Sequence, residues 1–357
     1  MAHLTAAAVS GGIDTWMESF ANHADPSVLQ IDACMVLHAG LVGPRQRHRP
    51  PHRIIAGVNR RTLVEVCRGI DVLLVSDPGA RPRQIARWIR HAGVPTVIFI
   101  AHGEGSYTQS RLTQMHAVCD HVVCVSDHVR QRLTIQTPCT VIPNGVDTRT
   151  CVATKPSRET RSQLGFDDDD FVVGFVGRFS DEKNPGAVID SLQHLPPNMK
   201  ALMVGYGDED LLQLRADQIG VADRVRWIDG QHFRPIGEAY AAMDALVMPS
   251  REEGFGLVAL EAMFAGVPVI ATRRGVAADW IEQGQNGWLI DDDGTSETVA
   301  IEISKRITHL QQRPKRKLRM ISKARKTADE MGHASTMMRK YEALLQSCVA
   351  AHASFYP

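Results

Sequence analysis

Short runs of apolar residues alternate with longer amphipathic stretches along the whole chain of 357 residues. Many of these runs are continuous in Val, Ile and Leu, which is typical of parallel strands buried on both faces. The stretches between them show the spacing of amphipathic helices, as in Pro82–His91, Leu211–Ile219 and Leu257–Ala265. Twelve strands are predicted, at Leu4–Val9, Ala33–Leu37, Val72–Ser76, Thr96–Ala101, Val122–Ser126, Val141–Ile142, Val172–Val176, Ala201–Val204, Val225–Ile228, Ala245–Met248, Pro268–Ala271 and Trp288–Ile290.

An alternation of strands and helices predicts an α/β fold with doubly wound parallel sheets. Twelve strands are too many for one ordinary sheet of this kind, and the chain length suits two domains. The polar segment Thr148–Gln163 has no periodicity and is interpreted as a linker. We therefore predict two Rossmann-like domains, over residues 1–150 and 151–335. A C-terminal helix over residues 336–357 is predicted to pack back on the first domain.

Composition and charge narrow the class of protein. Apolar residues make up 44% and charged residues 22% of the chain, and the formal net charge is zero, which is an ordinary globular balance. The first 150 residues contain 15 arginines, no lysine and 11 acidic residues. That excess of positive charge favours an anionic partner, although drift in surface composition explains it equally well. Seven cysteines without a C-x-x-C pair, and no apolar run of membrane-spanning length, predict a cytoplasmic protein without disulfides or a signal peptide.

The segment Ser250–Thr272 carries the most specific signal for chemistry. Gly254 and Gly256 follow a predicted strand and precede the helix predicted to begin at Leu257. The free amide groups at such a helix N-terminus bind phosphate. Glu261 lies five residues beyond Gly256, roughly 7–8 Å along a helix, which matches the reach from a diphosphate to its ribose. Glu253, just before the helix, is placed to meet the transferred sugar.

A second segment, Phe171–Pro185, places two cations after a buried strand. Arg178 and Lys183 are predicted to emerge at the carboxyl edge of the sheet, where open α/β sheets bind ligands. Cleavage of a sugar–diphosphate bond builds negative charge on the leaving phosphate, and fixed cations there stabilise the transition state. We therefore expect neither a metal nor another cofactor. The acidic runs Asp167–Asp170 and Asp291–Asp293 are interpreted as solvated loops.

These segments resemble the family-4 retaining glycosyltransferases of the GT-B fold, the glycosyl transferases of group 1. The resemblance rests on Glu253-x7-Glu261 with its Gly-Phe-Gly stretch, on Val176-Gly-Arg178 with Lys183, and on Ile142–Asp147. These blocks follow the family's order over nearly the whole chain. The resemblance implies an N-terminal acceptor domain and a C-terminal nucleotide-sugar donor domain that face each other across a cleft.

The resemblance also implies a role for each matching residue. Glu253 contacts the donor sugar and Glu261 the ribose, while the two cations hold the diphosphate. Gly230 and Gln231 follow a strand whose end usually reads the nucleotide base in this family. The donor-binding set in the loop and helix after Glu253 is Gly254, Phe255, Gly256, Leu257 and Val258.

Two features of the N-terminal half fit the same family. Gly11 and Gly12 resemble its glycine-rich loop, where the backbone lets the diphosphate approach, and Asp14 stands where the family commonly has Glu. A simple turn is the alternative. His102 follows the buried run Thr96–Ala101 and resembles the family's active-site histidine that touches the donor sugar. A structural histidine is the alternative here. The predicted catalytic set is His102, Glu253, Arg178 and Lys183.

The stretch from Arg45 to Arg61 contains six arginines and two histidines and no acidic residue. Such a stretch favours a phosphate-bearing acceptor, such as a glycolipid, or a peripheral contact with the inner face of an anionic membrane. A solvated loop explains it equally well.

The predicted function is that of a retaining, metal-independent glycosyltransferase in polysaccharide or glycolipid synthesis. It moves a hexose-type sugar from a nucleotide-diphosphate donor to a glycan or glycolipid acceptor, and nucleic acid is not an expected partner. Two alternatives are a catalytically silent nucleotide-sugar-binding protein and a GT-B sugar-nucleotide epimerase. A silent protein has no need of Arg178, Lys183, Glu253 and Glu261 together, and the Glu-x7-Glu element disfavours the epimerase.

Overall fold

The computed structural model describes residues 1–6, 12–38, 53–231, 233, 235–292 and 295–355. The chain divides into two compact units. Unit 1 consists of Met1–Gly145 together with Ala334–Pro357, and unit 2 consists of Val146–His333. The chain therefore passes through unit 2 once and returns to unit 1 for its last helix.

Parallel strands form the frame of both units. They coincide with the most apolar runs of the chain, and Val72–Val75 and Thr96–Ala101 are buried at every position. Helices cover both faces of such sheets, so the strands lack the alternation of buried and exposed positions. The described strands are β1 (Ala2–Thr5), β2 (Ala33–Val36), β3 (Arg53–Ala56), β4 (Val72–Val75), β5 (Thr96–Ala101), β6 (His121–Cys124), β7 (Cys139–Val141), β8 (Phe171–Phe179), β9 (Met199–Gly207), β10 (Val225–Asp229), β11 (Ala245–Met248), β12 (Val269–Thr272) and β13 (Trp288–Ile290).

In the described part of the chain, helices connect successive parallel strands, except that the connection from β2 to β3 lies largely outside it. Their apolar sides pack on the sheets, and unit 2 buries Val188, Ile303 and Ile307 in its core in this way. The described helices are α1 (Gly12–His23), α2 (Arg60–Cys67), α3 (Pro82–Ala92), α4 (Ser106–Met115), α5 (Asp127–Arg132), α6 (Thr148–Cys151), α7 (Ser157–Gln163), α8 (Gly186–Ser191), α9 (Glu209–Gln218), α10 (Ile236–Ala242), α11 (Leu257–Ala265), α12 (Gly275–Trp280), α13 (Ser296–Gln312), α14 (Pro314–Met331) and α15 (Ala334–Phe355).

Both sheets share one topology. The order in unit 1 is β3-β2-β1-β4-β5-β6-β7, and the order in unit 2 is β10-β9-β8-β11-β12-β13. Each sheet runs outward from its first strand in one direction and then continues on the other side. The direction reverses between β1 and β4 in unit 1 and between β8 and β11 in unit 2. Ligands of open α/β sheets bind at the carboxyl ends of strands beside such a switch point.

The expectation of two doubly wound α/β domains is confirmed by these sheets. Strand β3 was not among the predicted strands, because its sequence Arg-Ile-Ile-Ala lies inside an arginine-rich stretch and leaves its first and last residues exposed. The first predicted strand, Leu4–Val9, extends into residues outside the described part of the chain, where β1 has already ended at Thr5.

The segment Thr148–Gln163 was predicted as a linker without pattern, and this was wrong. It forms helices α6 and α7 within unit 2. The carboxylate of Glu238 on α10 holds it in place by accepting hydrogen bonds from the backbone N–H groups of Thr154 (2.8 Å) and Lys155 (3.1 Å). The same carboxylate accepts from the hydroxyls of Thr154 (2.6 Å) and Thr160 (3.0 Å). A buried partner distant in sequence thus orders a segment that has no periodicity of its own.

The last helix, α15, belongs to unit 1 and packs against α1. Tyr341 is fully buried there, and its ring lies 5.7 Å from that of Trp16 and 5.2 Å from that of Phe20. Aromatic contacts at these distances and tilted angles are favourable beyond the area they bury. Among the described helices, none combines the length and hydropathy needed to cross a bilayer.

Candidate functional site

The switch point of unit 2 brings two of the sequence motifs together. Strands β8 and β11 are direct neighbours, with Ala245 opposite Val173 and Leu246 opposite Gly174. Arg178 lies near the carboxyl end of β8, and Lys183 ends the short 3-10 helix that follows it. Glu253 lies in the loop after β11. Because the two strands are parallel neighbours, their motifs meet at one edge of the sheet.

Four charged side chains form a continuous chain at this edge. The ammonium of Lys183 lies 2.8 Å from Oε2 of Glu253 and 3.3 Å from Oε1 of Glu182. Oε2 of Glu182 in turn lies 3.1 Å from Nη2 of Arg178. Glu182 therefore bridges the two cations that the sequence assigns to the diphosphate. We refer to Arg178, Glu182, Lys183 and Glu253 as the charge chain.

The members of the charge chain differ in their contact with water. The side chains of Lys183 and Glu253 are 19% and 13% exposed, whereas those of Arg178 and Glu182 are 49% and 41% exposed. Burial works against the ammonium form of Lys183, but the charges of Glu253 and Glu182 outweigh it and raise the pKa of Lys183 above its usual value. Lys183 is therefore a cation at physiological pH, which suits a group that could bind phosphate.

The loop that carries Glu253 is held on both sides. The backbone N–H of Arg251 donates to the carbonyl of Glu182 (2.9 Å), which joins the loop to the 3-10 helix. The hydroxyl of Thr272 donates to the carbonyl of Ser250 (2.6 Å). A Cβ on Gly275 would lie 2.8 Å from the carbonyl oxygen of Phe255, so α12 approaches the loop as closely as only glycine allows. These contacts fix the position of Glu253.

Helix α11 begins directly after this loop, at Leu257. Its N-cap residue Gly256 adopts a left-handed conformation (φ 86°) and provides no side-chain hydrogen bond to the first turn. The amide end of the helix therefore carries no side-chain cap, an arrangement that suits an anionic ligand. Gly254 and Leu257 are buried and Val258 is half-buried. The ring of Phe255 packs against Trp280 at 5.5 Å, so its side chain serves the core.

Glu261 lies inside α11 and is only 7% exposed. Its Oε2 accepts a hydrogen bond of 2.6 Å from the hydroxyl of Tyr240, a fully buried residue of α10. A buried carboxylate requires such partners, because desolvation without a hydrogen bond is costly. The contact fixes the rotamer of Glu261 and occupies one of its two oxygens.

Gly230 and Gln231 follow β10, which lies two strands away from β8 in the sheet. The N–H of Gly230 donates to the carbonyl of Gly205 (2.8 Å), and a Cβ on Gly230 would lie 3.0 Å from Cα of Gly205. The N–H of Gln231 donates to the carboxylate of Asp229 (2.8 Å). Both residues lie at the same carboxyl edge as the charge chain, and their part in reading a base remains a prediction.

In unit 1, His102 follows β5 and is half-buried. Its Nε2 lies 3.0 Å from the hydroxyl of Ser76, at the end of β4, and its ring lies 5.3 Å from that of Trp16. Burial lowers the pKa of His102 to about 3, so the ring is neutral at physiological pH.

Gly12 is the first residue of α1, with Asp14 buried in its first turn, whereas Gly11 lies outside the described residues.

The arginine-rich stretch is described only in part. Arg45, Arg47, Arg49, His48 and His52 lie outside the described residues. Arg53, Arg60 and Arg61 are exposed, and Arg61 forms an ion pair of 3.0 Å with Glu65, four residues further along α2.

Metal ligands were not expected in Asp167–Asp170 or Asp291–Asp293, and the second run falls partly outside the described residues. Among the residues that are described, no group of three or more His, Cys, Asp and Glu side chains is placed to hold a metal ion.

Several partners of the predicted residues were missed from the sequence. They are Glu182 between the two cations, Tyr240 on Glu261, and Ser76 on His102. Ser76 carried a weak signal, since it ends an apolar run. Tyr240 carried none, because its contact depends on how α10 packs against α11.

Two family models match the chain. The model described as Glycosyl transferases group 1 matches residues 156–327, and the model described as Glycosyltransferase Family 4 matches residues 20–150. Among similar proteins, the D-inositol 3-phosphate glycosyltransferase of Corynebacterium jeikeium is 34% identical over 170 residues, which cover 44% of this chain and 41% of that protein. The lipopolysaccharide core biosynthesis mannosyltransferase LpsB of Rhizobium meliloti is 34% identical over 185 residues, covering 49% and 52%. The chain thus spans about half or less of the length of these curated relatives.

Solved structures show the same fold over nearly all of the chain. HepE from Anabaena, in complex with UDP-glucose, superposes with a TM-score of 0.83 at 22% identity and covers 97% of this chain and 99% of its own. WaaG, a glycosyltransferase involved in lipopolysaccharide biosynthesis, superposes with a TM-score of 0.73 at 16% identity and covers 97% and 99%. At these identities the likeness establishes the GT-B fold.

Proposed function

This chain belongs to the group 1 and family 4 glycosyltransferases, and we propose that it transfers a sugar from a nucleoside-diphosphate donor to an acceptor hydroxyl. The observation that carries this proposal is the charge chain beside the uncapped end of α11, at the switch point of unit 2. Within unit 2, Arg178, Lys183 and Glu253 lie just before the amide end of α11, and Glu261 lies further along that helix. Each of these groups suits one part of a nucleotide sugar.

Donor binding replaces one set of charge contacts with another. The diphosphate takes the place of the Glu182 carboxylate on Arg178 and Lys183, and it accepts hydrogen bonds from the first amides of α11. Glu261 accepts hydrogen bonds from the ribose diol, with its second oxygen held by Tyr240. Glu253 accepts hydrogen bonds from the hydroxyls of the transferred sugar.

The chemical step breaks the bond between the anomeric carbon and the diphosphate oxygen and forms a bond to the acceptor oxygen. Negative charge develops on the leaving phosphate, where Arg178 and Lys183 stabilise it without a metal. The acceptor proton passes to the leaving phosphate oxygen, which lies on the same face of the sugar as the attacking hydroxyl. That geometry gives retention of the anomeric configuration.

The donor sugar and base are open to a direct experiment. HepE binds UDP-glucose and LpsB is named a mannosyltransferase, so we propose UDP-glucose and GDP-mannose as the first donors to test. A thermal-shift screen against UDP, GDP, ADP and their sugars identifies the base, because ligand binding to the native state raises its stability with the logarithm of ligand concentration over Kd.

The decisive test compares Glu253→Ala with Glu252→Ala, its exposed neighbour. With EDTA-treated protein and the donor found by the screen, we expect Glu253→Ala to lose transfer and slow donor hydrolysis while Glu252→Ala keeps both. Full activity of Glu253→Ala would contradict the site. Loss of all activity of the wild type in EDTA, restored by a divalent ion, would contradict metal independence.

The same assay separates the alternatives. A silent nucleotide-sugar-binding protein shifts in melting temperature with a donor but releases no sugar. An epimerase releases free sugar at the same rate with and without an acceptor. A glycosyltransferase releases nucleoside diphosphate faster when the right acceptor is present, and it incorporates the sugar into that acceptor.

For the acceptor we propose a glycan or glycolipid, bound by unit 1. The exposed arginines Arg53, Arg60 and Arg61 favour a phosphate-bearing molecule or an anionic membrane surface. Reversal of these three charges is expected to weaken binding to vesicles that contain anionic lipid, or to raise the acceptor KM. Unchanged behaviour in both assays would contradict the proposal.

A further inference from the structure

A chain of hydrogen bonds crosses four neighbouring strands of unit 1. It begins at Cys34 on β2, whose Sγ lies 3.7 Å from Nδ1 of His3 on β1. Nε2 of His3 lies 2.8 Å from the hydroxyl of Ser76, after β4, and that hydroxyl lies 3.0 Å from Nε2 of His102, after β5. Sheet register favours the chain, since His3 lies directly opposite Cys34 on one side and Leu74 on the other.

Every link of this chain is polar and lies among apolar residues. Cys34, His3 and Ser76 are at most 7% exposed. The ring of Trp16, which is 1% exposed, lies 5.5 Å from that of His3 and 5.3 Å from that of His102. Polar groups in such surroundings hold fixed hydrogen-bond directions, because a broken link would leave a buried polar group without a partner.

The chemistry of the links sets the direction of the chain. Burial raises the pKa of the Cys34 thiol to about 12, with Asp14 adding to the effect, so Cys34 keeps its proton. A thiol next to an imidazole nitrogen acts better as a donor than as an acceptor, because sulfur accepts hydrogen bonds weakly. His3 therefore accepts at Nδ1 and donates from Nε2 to Ser76. The sulfur of Met17, 3.9 Å from Cys34, is a more distant and weaker acceptor.

Ser76 has one proton to give. Having accepted from His3, it donates that proton to Nε2 of His102. His102 is neutral, so its one ring proton must lie on the other nitrogen, Nδ1. The same result holds if His3 is protonated, since its Nε2 then also donates to Ser76.

We propose that Ser76 and His3 are positioning residues that hold His102 as the neutral tautomer with its proton on Nδ1. In this form Nδ1 of His102 is an N–H donor for a sugar oxygen at the carboxyl edge of β5. The inference rests on the proposed function and on the expectation from the sequence that His102 touches the donor sugar. It goes further by stating which ring nitrogen acts, in which protonation state, and which buried residues impose it.

The tautomer can be observed directly in the whole protein. Selectively 15N-labelled histidine and two-bond nitrogen–proton correlation spectra distinguish the protonated from the unprotonated ring nitrogen. In the wild type we expect the His102 signals of a neutral ring with an unprotonated Nε2. In Ser76→Ala we expect loss of that single state, with Nε2 protonated in part of the molecules. Ser76→Thr, which keeps the hydroxyl, is expected to restore it.

Kinetics provide the second measurement. Loss of the Ser76 hydrogen bond is expected to lower kcat about tenfold with little change in the donor KM, because the oriented N–H matters most when the sugar changes shape in the transition state. Thr140→Val is the matched control. It removes a hydroxyl 2.9 Å from Nε2 of His121 in the same sheet, and we expect it to leave kcat unchanged.

The outcomes separate this inference from the proposed function. If His102→Ala keeps full activity, the place of His102 in the site is wrong. If His102→Ala is impaired but the wild type shows Nε2 protonated, or Ser76→Ala keeps the wild-type tautomer and kcat, the proposed function stands and the positioning chain is wrong.

Discussion

The two sheets share one strand order, but the side chains at their carboxyl edges differ in charge. In unit 2, the switch point between β8 and β11 carries the charge chain, in which every cation touches a carboxylate. In unit 1, the strands beside the switch point between β1 and β4 lead to Ser76 and the neutral ring of His102. A common strand order therefore fixes where the candidate ligand-binding groups lie, whereas local sequence sets their charge.

The difference in charge suits the two edges to different kinds of ligand. Under the proposed function, paired charges keep the site ready for an anion at low cost, because the carboxylates satisfy the cations until a diphosphate replaces them. A neutral imidazole between a hydroxyl and an indole suits an uncharged sugar oxygen. The removal of one group should accordingly cost more in unit 2, where it leaves an opposite charge without its partner, than in unit 1.

The largest effect is expected for Lys183→Ala. It removes the more buried cation and leaves Glu253 facing the diphosphate without compensation, so kcat/KM should fall about a thousandfold, or about 4 kcal/mol. Steady-state kinetics with the identified donor measure this loss. Lys305→Ala, at an exposed lysine of α13, is the control and should behave as the wild type. A smaller loss in Lys183→Ala than in His102→Ala would overturn the contrast between the two edges.

The second effect concerns stability. Glu238 accepts four hydrogen bonds from Thr154, Lys155 and Thr160, so Glu238→Ala should lower the free energy of unfolding of unit 2 by about 2–3 kcal/mol. Urea denaturation measures this loss, and Glu297→Ala at an exposed position is the control. The donor KM of the folded variant should be unchanged. An altered KM with unaltered stability would mean that Glu238 belongs to the donor site.

Tyr240→Phe should have a smaller and more specific effect. The variant loses only the hydroxyl that donates to Glu261, so Glu261 can leave the position from which, under the proposed function, it meets the ribose. Nucleoside-diphosphate affinity should fall about fivefold, or about 1 kcal/mol, as measured by calorimetry. Tyr107→Phe is the matched control, because Tyr107 also donates to a carboxylate, that of Asp77 in unit 1. Equal losses in both variants would argue against a specific role of Tyr240.

Local sequence patterns predicted most elements of the fold. Thr96–Ala101, Ala245–Met248 and Trp288–Ile290 were predicted with the bounds that the structure has, because each is a short apolar run between polar turns. Arg53–Ala56 was missed because β3 lies at the edge of the sheet and pairs with β2 alone, so that it needs few apolar residues. Thr148–Gln163 was misjudged because its order comes from Glu238, more than 70 residues away.

The residues of the candidate site also fall into two groups, those that a local motif predicts and those that depend on contacts between distant elements. Lys183 and Glu253 were singled out from the motifs around them, and their contact follows once β8 and β11 are neighbours. Tyr240 and Ser76 act through contacts between elements that no local pattern encodes. Sequence motifs therefore predict the charged groups of the candidate site better than the groups that hold them in place.

The last expected effect is that of pH, and it differs between the units. Burial lowers the pKa of His102 from 6.5 to about 3. The unfolded chain therefore takes up a proton at this residue as the pH falls below about 6.5, while folded unit 1 does not, and stability is lost over that interval. In unit 2 the pKa of Asp244 lies below its usual value, since Lys317 and Arg161 outweigh the opposing effect of burial. Its contribution persists until the pH falls below about 4.

Peptide-resolved hydrogen exchange at pH 7.5 and pH 5 should therefore show unit 1 losing protection before unit 2. Slight burial and three neighbouring arginines lower the pKa of His309 in unit 2. This makes unit 2 also lose stability as the pH falls, and so reduces the difference between the units. High salt screens the arginine part of that effect at a half-exposed side chain, so the contrast should grow as salt is added. In His102→Asn the loss of protection in unit 1 between these two pH values should shrink. If the variant lost as much protection as the wild type, and the two units lost it equally, His102 would not set the acid sensitivity of unit 1.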